Sequence, residues 1–364
     1  MIKQFALWPL VIASLAGCAN RPPAPVVFDA AAAHDLIDQS LPRNLADRGG
    51  WDADIYAAFD VQALPPSRDN ICAVVAVIEQ ESSFQVNPII PGLPAIAWRE
   101  IDRRAADAGV PMMLVHGALD LHSSSGPSYS ERINAAKTEK DLSDIFEDFI
   151  SLVPMGKTLF ASRNPIRTRG PMQVNVAFVA QYAAAAPYPY PIKTTIADEA
   201  FTRRGSVYFG VAHLLAYAAP YDGRYEFRFA DYNAGQYASR NAAFQSALSS
   251  VSGISLIRDG ALLPRDADGD TPGSTELAAR AMAARLDMDD AAIHRALAQG
   301  KSKDFEHTPL YAGIFSLAEK AARHPLPRAL IPRIKLQSPK ITRPLTTAWY
   351  AERVNGRFNR CLSR

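Results

Sequence analysis

Residues 71–87 read ICAVVAVIEQESSFQVN, an apolar run that ends on a carboxylate followed by Ser82, Ser83 and Phe84. Taken as a helix, the run places Val74, Val77 and Ile78 seven, four and three positions before Glu81, so these side chains share one face with it. Glu81 therefore leaves an apolar wall. Glu79, two positions earlier, is turned roughly 200° round the helix and is the ordinary acidic residue of the pair. A carboxyl at the rim of an apolar wall loses solvation in its charged form, which raises its proton affinity toward the range where it donates near neutrality. That is the profile of a general acid, and the plainer reading is a solvated glutamate at a helix end. The break at Leu64, Pro65, Pro66 and Ser67 precedes the run, and Asp69 or Asn70 is expected to cap the helix.

Two further stretches carry chemistry. RGPMQVN at 169–175 combines a glycine that permits close backbone approach, a proline that fixes a turn, and Gln173 and Asn175, whose amides suit sugar hydroxyl and acetamido groups. Read as structure alone, it is a turn entering a helix from about 176 to 184. FADYNAG at 229–235 follows the apolar pattern of Val207, Val211, Leu214, Leu215 and Ala218 and closes another expected helix, with Gly235 at the C-cap position. The cap accounts for the glycine and not for the Tyr232 and Asn233 pair.

In this order ESSF, GPMQVN and YNAG resemble the three signature motifs of the lytic transglycosylases of the lysozyme-like superfamily: a Glu-Ser pair at a helix end, a Gly-x-Met-Gln turn and an Ala-Tyr-Asn-Ala-Gly segment. The resemblance spans roughly 69–240. It implies a mainly α, lysozyme-like catalytic domain whose cleft binds peptidoglycan glycan strands, cleaved between N-acetylmuramic acid and N-acetylglucosamine with a 1,6-anhydro end. By the same resemblance Glu81 matches the acid/base, Ser82 the serine beside it, Met172 and Gln173 the second motif, and Tyr232 and Asn233 the third, with no cofactor. One proton donor suffices because Glu81 can take the proton back from the attacking C6 hydroxyl, whereas ordinary glycosidases need a second carboxylate. Two departures stand out. Glu81 and Gln173 lie 92 positions apart, so about 88–165 reads as an insertion that reshapes or covers the cleft. Asp231 stands where the motif has alanine, either as a helix-face residue or as a second carboxylate that would permit hydrolysis.

The chain start has Lys3 as its only early charge, an apolar body from Phe5 to Leu15, then Ala16, Gly17 and Cys18. It reads as a secretory signal. Leu15-Ala16-Gly17-Cys18 resembles the lipobox of bacterial lipoproteins, which implies lipid on Cys18 and, with Ala19 following, an outer-membrane protein facing the periplasm. Prolines 22, 23 and 25 favour an extended tether. In a compartment that permits disulfides, Cys72 and Cys361 either pair, tying the C-terminus to the helix of Glu81, or remain a buried free thiol and an exposed one.

The composition, 48% hydrophobic with net charge +2, is that of a globular body. Helices are expected near 98–108, 140–152, 274–286, 289–298 and 310–323, with a polar break at 123–127. The Asp266, Asp268 and Asp270 run departs from a calcium hand at its glycine and glutamate positions and reads as a polar loop. The histidines lack ligand spacing, so no metal is expected. The tail 323–364 has ten Lys or Arg, one acid and five prolines. It is expected to be an extended basic arm, not a long helix, with its charges in water or facing anionic wall polymer or lipid headgroups.

These readings divide the chain into a signal peptide 1–17, a lipid-anchored tether 18–40, a lysozyme-like domain 41–250 and a C-terminal helical region 251–364. The partners are glycan strands and the membrane, and the compartment excludes nucleic acid. A non-catalytic wall-binding lipoprotein is the competing function.

Overall fold

The computed structural model describes residues 28–186, 188–219, 221, 223–264, 271–337, 341 and 343–364. The expected signal peptide 1–17, Cys18, the expected tether up to 27 and the expected loop 266–270 lie outside the described residues. Helices α1 (Ala30–Ser40), α2 (Arg48–Val61) and α3 (Arg68–Glu81) come first. All eight residues from Ile71 to Ile78 are fully buried. The helix is therefore walled by apolar neighbours on all sides, not along one stripe, as befits a helix that is apolar all round. Its N-cap is Ser67, whose Oγ accepts from the Asn70 N–H at 3.2 Å; Asp69 and Asn70, the expected caps, sit inside the first turn. The expected tether is also shorter than 40. Asp29 caps α1, and Ile37 and Leu41 bury completely in the core against α2 and α3.

The segment expected to be an insertion, about 88–165, is a helical unit with its own apolar cluster of Leu93, Leu119, Tyr129, Ile133, Ala136 and Ile145. It contains α4 (Leu93–Asp107), α5 (Met112–Leu119), α6 (Tyr129–Ala135), α7 (Glu139–Ser151) and α8 (Gly156–Phe160). Both α6 and α7 open on a capping box, Ser128 with Glu131 and Thr138 with Asp141. The chain then makes an antiparallel pair, β1 (Thr168–Arg169) with β2 (Val174–Asn175), in which Thr168 faces Asn175 and Arg169 faces Val174. Asn175 has a local structural role. It caps α9 (Val176–Ala185), accepting from the Ala177 N–H at 2.8 Å.

Helices α10 (Ile196–Glu199), α11 (Arg203–Leu215) and α12 (Tyr225–Ala234) follow, α11 packs against α3, and α12 ends at Gly235 as expected. A second core, built on Phe244, Phe305, Leu310, Ile314 and Phe315, joins α13 (Ala238–Ser252), α14 (Ser274–Arg280), α15 (Ala283–Leu286), α16 (Asp290–Ala298) and α17 (Pro309–Ala322).

The tail contradicts its expectation. Prolines stop at Pro344, and residues beyond it form α18 (Thr347–Leu362), capped by Thr346. Tyr350, Ala351, Val354, Phe358 and Cys361 fall on one face at helical spacing and enter the main core between α3 and α12. Of the two cysteine alternatives, the disulfide is present: Cys361 is bonded to Cys72 with the Cα atoms 5.5 Å apart. The fold is mainly α, with β1 and β2 as the paired strands among the described residues. No helix among them is long and apolar enough to cross a membrane.

Candidate active site

Glu81 is the last residue of α3 and opens into a cleft of about 150 Å³. The other walls are Val86, Asn87, Pro88 and Ile90 from the turn after α3, Glu139 and Lys140 from the start of α7, Gly170 and Gln173 from the hairpin, and Phe201. The segment 88–165 therefore forms a wall of the cleft. The turn after Glu81 holds two consecutive non-glycine residues in left-handed backbone, Ser83 at φ 50° and Phe84 at φ 63°. Such residues are costly and persist where surroundings over-determine them. Here the Phe84 ring packs edge-on to Trp51 at 5.1 Å.

The Glu81 carboxylate is held by a residue 269 positions away. Tyr350 on α18 donates its hydroxyl to Glu81 Oε1 at 2.5 Å. Burial, and next the charge of Glu81, push the Tyr350 phenol well above its ordinary value, and the same two causes act on Tyr232. Both phenols remain protonated donors at any working pH. Tyr232 donates to the main-chain carbonyl of Met172 at 2.6 Å, which ties the third motif to the second behind the carboxylate.

On the opposite side, Gln173 is itself left-handed at φ 50°. Its Oε1 accepts from Thr168 Oγ1 at 2.8 Å, and its Nε2 donates to Gly170 O and to Glu139 Oε2, each at 3.3 Å. Gly170, at φ 71°, is required here: a Cβ would stand 2.1 Å from the Ala200 carbonyl. Lys140 donates to Asp144 Oδ2 at 2.6 Å.

Several expected site residues have other roles. Ser82 is buried and donates to the Ile78 carbonyl at 3.1 Å, finishing α3. Met172 is fully buried against Gly210, where an added Cβ would lie 2.3 Å from the Met172 sulfur. Neither side chain is placed to touch a ligand. Asn233 is exposed and accepts from Thr347 Oγ1 at 3.0 Å, joining α12 to α18.

Asp231 is neither a helix-face residue nor a cleft carboxylate, for it is completely buried. It accepts from Tyr217 Oη at 3.0 Å, from Tyr221 Oη, and from the N–H groups of Tyr237 and Ser239 at 3.0 and 2.7 Å. Burial pushes its carboxyl up despite these bonds, and its work is to fasten α12 to the start of α13. Glu79 is not a plain surface acid either. Arg357, Arg360 and Arg364 of the basic tail gather on it at 3.6, 3.6 and 3.7 Å.

Glu81 and Gln173 are thus brought to one cleft, with Tyr232 immediately behind. Tyr350 and Glu139 are site residues that sequence reasoning missed. The amphipathic spacing after Pro344 could have revealed the helix of Tyr350, and the Thr138-x-x-Asp141 pattern the helix start at Glu139. Neither signal says which cleft the side chain reaches. Chemically the cleft offers a helix-end carboxylate with a phenol donor, a second carboxylate and a fixed amide. Among the described residues no three His, Cys, Asp or Glu side chains converge as a metal site.

The family described as "Protein of unknown function (DUF1615)" matches residues 44–364. The chain is similar to the uncharacterized protein YaiW of Escherichia coli (strain K12), with 48% identity over 360 residues that cover 98% of this chain and 97% of the relative. No solved structure matches the chain.

Proposed function

The chain belongs to the DUF1615 family, and we propose, from its motifs and the cleft around Glu81, that it is a lytic transglycosylase of peptidoglycan glycan strands with Glu81 as its acid/base. The observation that supports this reading most is the placing of Glu81: it ends a helix buried from Ile71 to Ile78, is gripped by the Tyr350 hydroxyl, and shares its cleft with Gln173. Glu81 gives a proton to the glycosidic oxygen as the bond to C1 breaks. The C6 hydroxyl of the same sugar then bonds to C1 and returns its proton to Glu81, leaving a 1,6-anhydro end. Tyr350 and the Tyr232–Met172 bond fix the geometry in which that exchange occurs. The lysozyme-like assignment, the lipid on Cys18, and the outer-membrane position facing the periplasm belong to the same proposal. So do the predicted partners, glycan strands and a lipid-anchored membrane contact.

One observation favours a second reading, that of a wall-binding protein that does not cut. Both ends of the Gln173 amide are already engaged by the protein's own groups.

Digestion of purified peptidoglycan followed by mass analysis separates the two. Cleavage by the wild type, with a loss on the order of 10² to 10⁴ in Glu81→Gln, is the expected result. Binding without release of fragments by the wild type would replace the enzyme with the binder. Metabolic labelling with a lipid precursor should mark the wild type and not Cys18→Ser; label surviving that substitution would remove the anchor.

A further inference from the structure

We propose that Glu139 is a second working carboxylate of this cleft, a base that activates water, so that part of the cleavage is hydrolysis ending in reducing sugars. The proposal rests on the glycan-cleaving reading above. It starts from the fact that a residue of the insertion, 58 positions from Glu81, lines the same cleft. The cleft is small, about 150 Å³, against roughly 300–1,000 Å³ for ordinary ligand pockets. Two carboxylates therefore stand among the walls of one small cleft.

The backbone under Glu139 is fixed. Thr138 Oγ1 accepts from the Asp141 N–H at 3.2 Å, and Asp141 Oδ2 accepts from the N–H groups of Lys137 and Thr138 at 2.9 Å each. The side chain is aimed by Gln173 Nε2, which donates to Glu139 Oε2 at 3.3 Å.

The two carboxylates also sit at opposite ends of helix dipoles. Glu139 is the first residue of α7, where the positive end of the dipole accommodates an anion, and Glu81 is the last residue of α3, at the negative end. This polarity suits a base at Glu139 and a proton donor at Glu81, the division of labour of a two-carboxylate glycosidase. Asp231 cannot fill the role because it is buried under its own four donors.

The step balances. Glu81 passes its proton to the glycosidic oxygen as the C1–O bond breaks, the water oxygen bonds to C1, and the water proton goes to Glu139. One water is consumed and one reducing end is made. Exchange with solvent restores both carboxyl groups.

The test is digestion of peptidoglycan in ¹⁸O water by the wild type, Glu139→Gln and Glu81→Gln, counting ¹⁸O-labelled reducing ends and 1,6-anhydro ends by mass. Glu139→Gln keeps a carbonyl that can still accept from Gln173, and a melting curve matching the wild type verifies its fold. Glu139→Asp, which retains the charge on a shorter arm, provides a second variant. The wild type should give both kinds of end. The ratio of labelled to anhydro ends should fall at least about tenfold in Glu139→Gln and partly recover in Glu139→Asp. Anhydro ends alone from the wild type, or a ratio that Glu139→Gln leaves unchanged, would overturn the role of Glu139 while leaving the transglycosylase reading intact. Absence of any fragment from the wild type would overturn both.

Discussion

Removing the Cys72–Cys361 bond tests how the C-terminal helix is held against the helix that carries Glu81. The bond joins residues 289 positions apart. On the chain-entropy relation for cross-links, closing a loop of that length is worth about 5–6 kcal/mol at 25 °C. An unfolding entropy of about 2.1 cal/mol/K per residue, over the roughly 330 residues of the folded body, gives about 0.7 kcal/mol per kelvin. The double variant Cys72→Ala/Cys361→Ala should therefore melt about 8 °C below the wild type. Both sulfurs are buried, so the alanines add small cavities and make the fall, if anything, larger. Thermal melts by circular dichroism, repeated on wild type with and without reductant, read the effect. Since α18 brings Tyr350 to Glu81, glycan cleavage should fall in the double variant well below its melting temperature. A drop of less than about 2 °C would refute the reasoning, for it would mean that packing of Tyr350, Val354 and Phe358 alone holds α18.

Tyr350→Phe removes the hydroxyl from Glu81 and keeps the ring; a hydrogen bond to a charged group is worth about 1.5–3 kcal/mol. The expected outcome is a roughly tenfold to hundredfold loss of cleavage rate with an unchanged circular dichroism spectrum, and an unchanged rate would remove Tyr350 from the site. Asp231→Asn turns an amide N–H₂ toward buried donors and should cost about 3 kcal/mol in urea unfolding without altering which ends the product fragments carry. His213 is enclosed by Phe178 and Tyr232, with Nε2 at 3.2 Å from the Tyr232 carbonyl, and burial holds its imidazole down at about 4. The unfolded chain takes up that proton near 6.5 and the folded chain does not until about 4. Stability should thus fall as pH drops through this window, by roughly 3 kcal/mol at its lower end. His213→Gln should flatten the melting profile between these pH values, and an undiminished slope would assign the acid sensitivity elsewhere.

Much of the architecture was legible in the chain. The apolar helical run ending at Glu81, the helices α4, α7, α9, α16 and α17, and the glycine ending α12 each follow from spacing and turn residues among near neighbours. The tail 323–364 departs from the extended arm that its five prolines suggest. A proline acts on its own turn and the residue before it, and the twenty residues after Pro344 contain none.

By itself the sequence determined a mainly helical protein and placed Glu81 at the end of its central helix, because helical periodicity and capping act over a few residues. Only the tertiary structure decided what surrounds Glu81: Tyr350 from 269 positions away bonds to it, and Glu139 lines the same cleft. It also decided that Ser82, Met172 and Asp231 turn inward. A motif specifies side chains in order, but whether a hydroxyl, sulfur or carboxylate faces a cleft depends on which distant donors and apolar surfaces surround it. For Asp231 those are the phenols of Tyr217 and Tyr221 and two N–H groups at the start of the next helix.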